Sequence, residues 1–412
     1  MGDYVGTIVI GGGQSGLAMS YQLQQHGCEH MVIERARVAE RWRTERWKSL
    51  RFQFPNWMIR LPGHHYDGDD PDGFMGCEGV VNFLTHYATK IAAPLHCGIN
   101  VIEVRPASTG KRFAVETDTS HLESANVVVA TGPYQKPSVP VFSCDIPAFV
   151  EQITANRYTS ADQLPNGVLV VGAGASGVQI AEDLLRDGQN VFLSVGRHRR
   201  VPRRYRGKDY GWWQEEMGRF DTLSSALPAD HLPPLLTGVN GGRDVDLRRL
   251  AEQGVTLLGS LKGASNGRLY FASDLQENLA RGDQGCHDFR RSVDAYITDH
   301  GLDAPEEAAV ETIETTDAPS LTELGLRKMG INAIIWATGY EYDFGWINVP
   351  VFDAHGNPIH SRGVTAVDGL YFLGLARLHK LKSSILWGVG DDARYLARHI
   401  AMRSSDANSS AN

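Results

Sequence analysis

The chain has 412 residues, 42% of them apolar and 21% charged, and a formal net charge of −8. That length accommodates two or three domains with separate cores, and the acidic balance argues against general nucleic-acid or membrane-surface binding. No apolar run approaches the roughly 18 residues of a membrane span, and the first ten residues lack the basic region and apolar core of a signal peptide. The five cysteines, Cys28, Cys77, Cys97, Cys144 and Cys286, form no C-x-x-C pair. This disfavours a zinc site or a redox-active dithiol and suits a reducing cytosol. The expectation is a soluble cytoplasmic protein with neither nucleic acid nor membrane as partner.

Residues 7–10 are an apolar, β-branched run that meets Gly11-Gly12-Gly13. Residues 17–25 then read as helix, and 31–33 as a strand ending at Glu34. Strand, glycine turn, helix, strand is a βαβ unit. Residues 35–79 are irregular, and a loop of that length is either functional or disordered. Trp42, Trp47, Trp57 and Tyr66 favour an ordered, packed one. Residues 80–91 read as helix and 99–104 as strand, and residues 126–130 are a buried strand running into Ala130-Thr131-Gly132. A link at 163–167 leads to a second βαβ unit from Val168. From 201 to 330 the pattern blurs, with one helix expected at 288–297. Residues 333–336 repeat the earlier device, a strand ending in Ala337-Thr338-Gly339. Residues 369–375 are another buried strand and 391–400 a closing helix. Residues 403–412 have nothing to bury and are expected to be disordered.

Both G-x-G-x-x-G motifs follow a strand and open a helix. The first is Gly11, Gly13 and Gly16 with Gln14 and Ser15 between; the second is Gly172, Gly174 and Gly177 with Ala175 and Ser176 between. The first glycine allows the turn, the second lets backbone approach a pyrophosphate, and the third lets helix pack on strand. The free N–H groups at the helix start then face the phosphates. A shift of 161 positions carries Gly11 onto Gly172 and Glu34 onto Val195. A carboxylate at that position accepts hydrogen bonds from ribose hydroxyls and repels a 2′-phosphate, so the first unit suits FAD or NAD. The second unit has no acid there and continues with Arg197, Arg199, Arg200, Arg203, Arg204, Arg206 and Lys208. Guanidinium groups bind phosphate bidentately, so it suits NADPH, with Arg197 or a close neighbour on the phosphate. One ATG precedes the second unit and one follows it, which places that unit as an insertion. The expected architecture is α/β, with two Rossmann-like dinucleotide-binding domains. An NADPH domain at 163–330 is inserted in an FAD domain made of 1–162 and 331–402.

The order GGGQSG, Glu34, ATG, GAGASG with its arginines, then ATGY resembles the two-dinucleotide-binding-domain flavoproteins, and most of all the class B flavin-dependent monooxygenases. Trp42-Arg43 resembles their G-G-x-W-R segment, with Ala39 and Glu40 in place of the glycines. The resemblance implies FAD on the first unit, NADPH on the second and hydride transfer between them. It also implies oxygen activation as a flavin C4a-(hydro)peroxide that passes one atom to a small organic substrate, by N-, S- or carbon oxidation or Baeyer–Villiger insertion. The family fingerprint F-x-G-x-x-x-H-x-x-x-W/F/Y is met only at its last aromatic, Tyr158. Ala148, Val150 and Thr154 stand where Phe, Gly and His are expected. Two alternatives stay open: an NADPH:acceptor reductase without oxygenation, and a nucleotide-binding regulatory flavoprotein.

The resemblance and the motifs nominate a site. Expected on the flavin side are Gly11, Gly13, Gln14, Ser15, Gly16, Glu34, Arg35, Trp42, Arg43, Val101, Ala130, Thr131, Gly132, Ala337, Thr338, Gly339 and Leu386. Expected on the NADPH side are Gly172, Gly174, Ala175, Ser176, Gly177, Ser194, Arg197 and Arg199. The amides of Gln53 and Asn56 are the candidate catalytic hydrogen-bond donors to the flavin. Residues 384–390 open the last helix toward its pyrimidine ring. His64-His65, beside Asp67, Asp69, Asp70 and Asp72, reads as a hydrated turn rather than a metal site. Trp212-Trp213 either line a substrate channel or pack.

Overall fold

A computed structural model describes residues 3–108, 113–307 and 321–409. Its two main sheets are both built on parallel strands. The first has nine strands. Its parallel path runs Leu370–Phe372, His121–Val129, Asp3–Ile10, His30–Glu34, Leu95–Cys97. The second has five, in the order Glu151–Thr154, Ala333–Trp336, Val168–Val171, Val191–Ser194, Thr256–Leu258, all parallel. Val168–Val171 and Ala333–Trp336 are buried at every position, as strands covered on both faces must be. Helices Gln14–Gln25 and Val389–Ser409 pack together against the first sheet, and helix Ala175–Arg186 covers the second.

Each sheet carries an antiparallel excursion before its crossing strand. In the first, Val101–Pro106 and Phe113–Thr117 lead into His121–Val129. In the second, Leu261–Ser265, Arg268–Phe271 and Glu323–Gly325 precede Ala333–Trp336. The duplication visible in the glycine motifs thus extends to the architecture.

The domain boundaries differ from those expected at 163 and 331. Ala333–Trp336 does not return to the first sheet; it lies between Val168–Val171 and Glu151–Thr154 in the second. The chain rejoins the first sheet at Leu370–Phe372. An apolar strand ending in ATG carries no mark of which sheet it joins. Here Ala333 and Ile335 fill the core under helix Ala175–Arg186, while Ile334 and Trp336 fill the core on the opposite face. The two connections between the units run side by side. Lys136–Pro137 pairs antiparallel with Tyr340–Glu341, Ser138 N–H donates to Gly339 O at 2.9 Å, and the Tyr134 and Tyr340 rings lie 5.3 Å apart.

Two helices exceed their expected lengths. The helix expected at 288–297 spans Leu275–His300 and buries Leu275, Leu279, Gly282, Cys286, Phe289 and Val293 along one stripe. Its glycines, Gly282 and Gly285, belong to a residue type that disfavours helix interiors. In the structure they are notches: a Cβ on Gly282 would lie 2.5 Å from His198 Nε2, and one on Gly285 would lie 2.7 Å from Arg200 O. The closing helix continues through the tail expected to be disordered, as far as Ser409. Arg403 is tied there to Asp368 at 2.8 Å, and extending an existing helix needs no new nucleus. The 35–79 loop is ordered around a turn at Asn56–Met58 and a hairpin of Arg60–Leu61 with His64–His65. No helix among the described residues is long and apolar enough to cross a membrane.

Candidate functional site

The first glycine turn is shaped by what stands behind it. Gly11 has φ +118°, and a Cβ there would lie 2.7 Å from Ala130 O; one on Gly16 would overlap Gly11 O. A Cβ on Gly13 would meet nothing within 4 Å, and no side chain caps the helix that starts there. The helix N-terminus therefore faces open space, which fits a pyrophosphate. At the end of the next strand, Glu34 accepts Gly12 N–H at 2.7 Å on Oε2 and Ala36 N–H at 3.0 Å on Oε1. Each carboxylate oxygen keeps a further lone pair for a ribose hydroxyl. Arg35 is exposed beside it, and Val101 opens the strand that follows the Glu34–Cys97 pair. Ala130 N–H donates to Ile10 O, and Thr131 and Gly132 accept from the Gln135 amide at 3.1 and 2.9 Å. From the far end of the chain, Gly374 packs directly on Ser15, and Gln14 Nε2 donates to Ser384 O at 2.8 Å. Leu386 is buried two residues on.

The second turn repeats this geometry. Gly172 has φ +112°, and a Cβ there would lie 2.5 Å from Ala337 O; one on Gly177 would overlap Gly172 O; Gly174 again faces open space. The helix start, with Ala175 and Ser176, has no side-chain cap. Ala337 N–H donates to Val171 O at 2.9 Å, as Ala130 N–H does to Ile10 O at 2.8 Å. Ala337, Thr338 and Gly339 therefore belong to the second crevice, not to the first as expected. The strand that carries them joined the other sheet.

The expected basic cluster separates into parts. Val195, opposite number of Glu34, is fully buried. Arg197 is half-exposed and only loosely paired with Asp230 at 3.7 Å. Arg199 lies against the Tyr210 hydroxyl. The remaining arginines hold the fold. Arg200 pairs with Asp246 at 2.7 Å and with Asp283, Arg204 donates to the carbonyls of Gly241 and Gly242, and Arg206 pairs with Asp294 at 2.9 Å. Arg203 is almost wholly buried; Nε reaches Asp209 at 2.8 Å and Nη1 donates to Gln53 O at 2.6 Å, joining the two units. Ser194 does not present its hydroxyl to the crevice. Its Oγ donates to Gly259 O and accepts Leu261 N–H, both at 3.0 Å, inside the sheet.

The 35–79 loop lies between the crevices. Trp42 packs on Phe52 at 6.0 Å under the Arg46 guanidinium, while Arg43 holds the loop by donating to Val38 O and Thr85 Oγ1. The Gln53 side-chain amide has no hydrogen-bond partner among the described residues. Asn56 differs from its expected role as a donor. Its Nδ2 is committed to Asp70 O at 2.8 Å, and what it leaves open is a buried, unpartnered Oδ1 acceptor. Sequence reasoning missed an aromatic cluster here. Phe54 stands 4.7 Å from Trp387 and 6.1 Å from Phe220, and Trp387 Nε1 is buried without a partner. Phe220 comes from the 205–325 region, where the sequence carried no signal. Tyr158, the matched fingerprint aromatic, donates to Asp183 Oδ2 at 2.7 Å, and burial pushes its hydroxyl far above the ordinary tyrosine range. Thr154, in the fingerprint His position, bonds Asn156 at 2.7 Å. Trp213 is buried with its indole N–H on Tyr205 O, and His64 stacks on Phe83 at 4.6 Å.

Two uncapped glycine-turn crevices on two parallel sheets define an oxidoreductase built from two dinucleotide-binding units. Residues 8–211 match the pyridine nucleotide-disulphide oxidoreductase family. A protein of Geobacillus kaustophilus described as an uncharacterised CzcO-like oxidoreductase is 31% identical over 405 residues, 97% of this chain and 99% of that one. The chain belongs to the CzcO-like oxidoreductase family. An indole-3-pyruvate monooxygenase of Oryza sativa is 30% identical over 204 residues, 46% of this chain and 48% of that one. The flavin-containing monooxygenase of Stenotrophomonas maltophilia shares the fold, with a TM-score of 0.67 at 19% identity over 98% of this chain and 99% of that one.

Proposed function

We propose that the protein is an NADPH-dependent FAD monooxygenase that transfers one oxygen atom from O2 to a small organic substrate. The observation that carries this reading is the contrast at the ends of the two second strands. Glu34 presents a hydrogen-bonded carboxylate to a diol, while Val195 is apolar and Arg197 follows with its charge half in solvent. Gly11, Gly13, Gly16 and Glu34 hold FAD in this reading, and Gly172, Gly174, Gly177 and Arg197 hold NADPH. Bound FAD supplies hydride acceptance and reaction with oxygen.

The chain's own residues position and shield. The amide of Gln53 is free to donate toward the bound ring, and the Arg203 bond to its carbonyl keeps that strand of loop in place. Phe54, Phe220 and Trp387 form an apolar wall that excludes water from the reacting face. The whole-length likeness to the Stenotrophomonas flavin-containing monooxygenase fold and the partial likeness to the rice enzyme support oxygenation. Thr154 in place of the fingerprint His supports the second reading, a reductase that passes electrons to an acceptor without oxygenating.

The test is NADPH oxidation by the purified yellow protein. Monooxygenation requires O2 uptake matched by oxygenated product, with an ¹⁸O atom from O2 in that product. Oxidation by quinones with no oxygenated product across a substrate screen selects the reductase.

A further inference from the structure

The segment that follows strand Val191–Ser194 is held along one face of helix Leu275–His300. Asn278, Gly282 and Gly285 are spaced by four and then three positions, which stacks them on that face one turn after another. Buried Asn278 donates from Nδ2 to Val195 O at 3.0 Å. The His198 ring occupies the gap left by Gly282, where a Cβ would come within 2.5 Å of Nε2. Gly285 lies under the backbone of Arg200, whose guanidinium pairs with Asp283 of the same helix. The start of the helix is fixed to the sheet in turn. Asp274 accepts Ser260 N–H at 2.8 Å and Ser260 Oγ at 2.7 Å, next to the Gly259 carbonyl that takes the Ser194 hydroxyl.

Arg197 is the residue that this arrangement turns outward. His198 Nδ1 lies 3.1 Å from Gly196 O and therefore carries the ring proton, closing a turn with Arg197 at its apex. Nε2 is then a bare acceptor, buried with no hydrogen-bond partner among the described residues, so shape alone keeps the ring in the Gly282 gap. Val195 and His198 are buried on either side, while the Arg197 side chain stands half in solvent. An arginine that binds phosphate loses backbone and side-chain freedom, and a backbone already fixed at 195, 198 and 200 leaves less to lose. We propose that helix Leu275–His300, through Asn278 and Gly282, positions Arg197 for the 2′-phosphate and so sets the preference for NADPH over NADH. This rests on the assignment of that phosphate to Arg197 in the proposed function, and it gives the region between 205 and 325 a part in nucleotide choice.

The experiment measures binding of 2′,5′-ADP against 5′-AMP to the FAD-loaded protein by isothermal titration calorimetry, together with kcat/KM for NADPH and NADH. The two fragments differ only in the 2′-phosphate. Gly282→Ala should lower the 2′,5′-ADP advantage about fivefold, within the roughly tenfold expected of Arg197→Ala. Binding of 5′-AMP, NADH kinetics and flavin content should stay as in the parent. Asn278→Ala, which removes a donor without adding bulk, should lower the advantage about threefold and decides the matter where Gly282→Ala does not fold. In an Arg197→Ala background neither substitution should reduce the advantage further, because both act through that side chain. Ile297→Ala, in a separate core further along the same helix, should lower the melting temperature and leave the advantage intact. The proposal is overturned if the folded Gly282 or Asn278 variant keeps the full advantage, if either loses as much with Arg197 absent, or if Ile297→Ala loses as much. A parent protein that binds the two fragments equally overturns the Arg197 assignment itself, and the proposal with it.

Discussion

The two crevices share a backbone and differ in charge. In both, an uncapped helix start lies behind a glycine with no neighbour within 4 Å, and the strand end of an ATG segment closes the turn from behind. They part at one position, where Glu34 is wired to two backbone N–H groups and Val195 is sealed in the core. In the proposed reading the shared part recognises what all dinucleotides have in common, the pyrophosphate, and the divergent part reads the ribose. A duplicated unit can thus change ligand by altering a single strand end without disturbing its fold.

Substitutions that break one crevice and spare the other should have the largest effect. Gly16→Val puts a side chain onto Gly11 O and should yield protein without bound FAD. Gly177→Ala does the same to Gly172 O and should raise KM for NADPH about a hundredfold, the scale of overpacking at about 1–3 kcal/mol, with the flavin retained. Flavin content and NADPH kinetics on both variants separate the two; loss of FAD in both would end the division of labour. Glu34→Gln keeps the shape but withdraws one acceptor, and FAD should bind about 10–100-fold more weakly by equilibrium dialysis, as for a charged hydrogen bond of about 1.5–3 kcal/mol. Arg197→Ala should raise KM for NADPH about tenfold and leave NADH unchanged, a modest effect because the side chain is half-exposed. Equal changes for the two nucleotides would remove the 2′-phosphate from Arg197.

Smaller effects test the frame. Tyr158→Phe removes the buried bond to Asp183, and its melting temperature should fall by an amount equivalent to about 1–2 kcal/mol, with both cofactor affinities unchanged. Acidification should cost less still. Burial holds His198 below its ordinary pKa of 6.5, so the unfolded chain takes up the proton first. The stability this His contributes is present above pH 6.5 and is lost as the pH falls below it. Urea midpoints at pH 7.5 and 5.5 should differ less in His198→Gln than in the parent.

What the sequence disclosed follows from how local each feature is. The glycine turns and Glu34 act within a few residues of themselves, so spacing alone placed them on strand ends and helix starts. The partner of Ala333–Trp336 depends on two cores built from distant residues, and its composition was silent about which sheet it would join. The arginine run was legible as charge but not as function, because its members are sorted by Asp246, Asp283, Asp209 and Asp294, which lie up to 88 positions away, as Asp294 does from Arg206. Phe220 had no periodic neighbours to announce it. The long helix at Leu275–His300 was obscured because its glycines serve packing against His198 and Arg200 rather than a break.

The paired connections at Lys136–Pro137 and Tyr340–Glu341 have a mechanical meaning. A unit hung on two separate strings can twist, splay and slide; one hung on a zipped ribbon has a single joint. Ser138 bonds both Gly339 and Glu341 across that ribbon, and Asp343 N–H reaches back to Gln135, whose amide also grips Thr131 and Gly132 at the first crevice. Thr338 and Gly339, at the second crevice, stand on the other strand of the same ribbon. Any swing of one unit against the other must therefore be registered at the back of both nucleotide turns together.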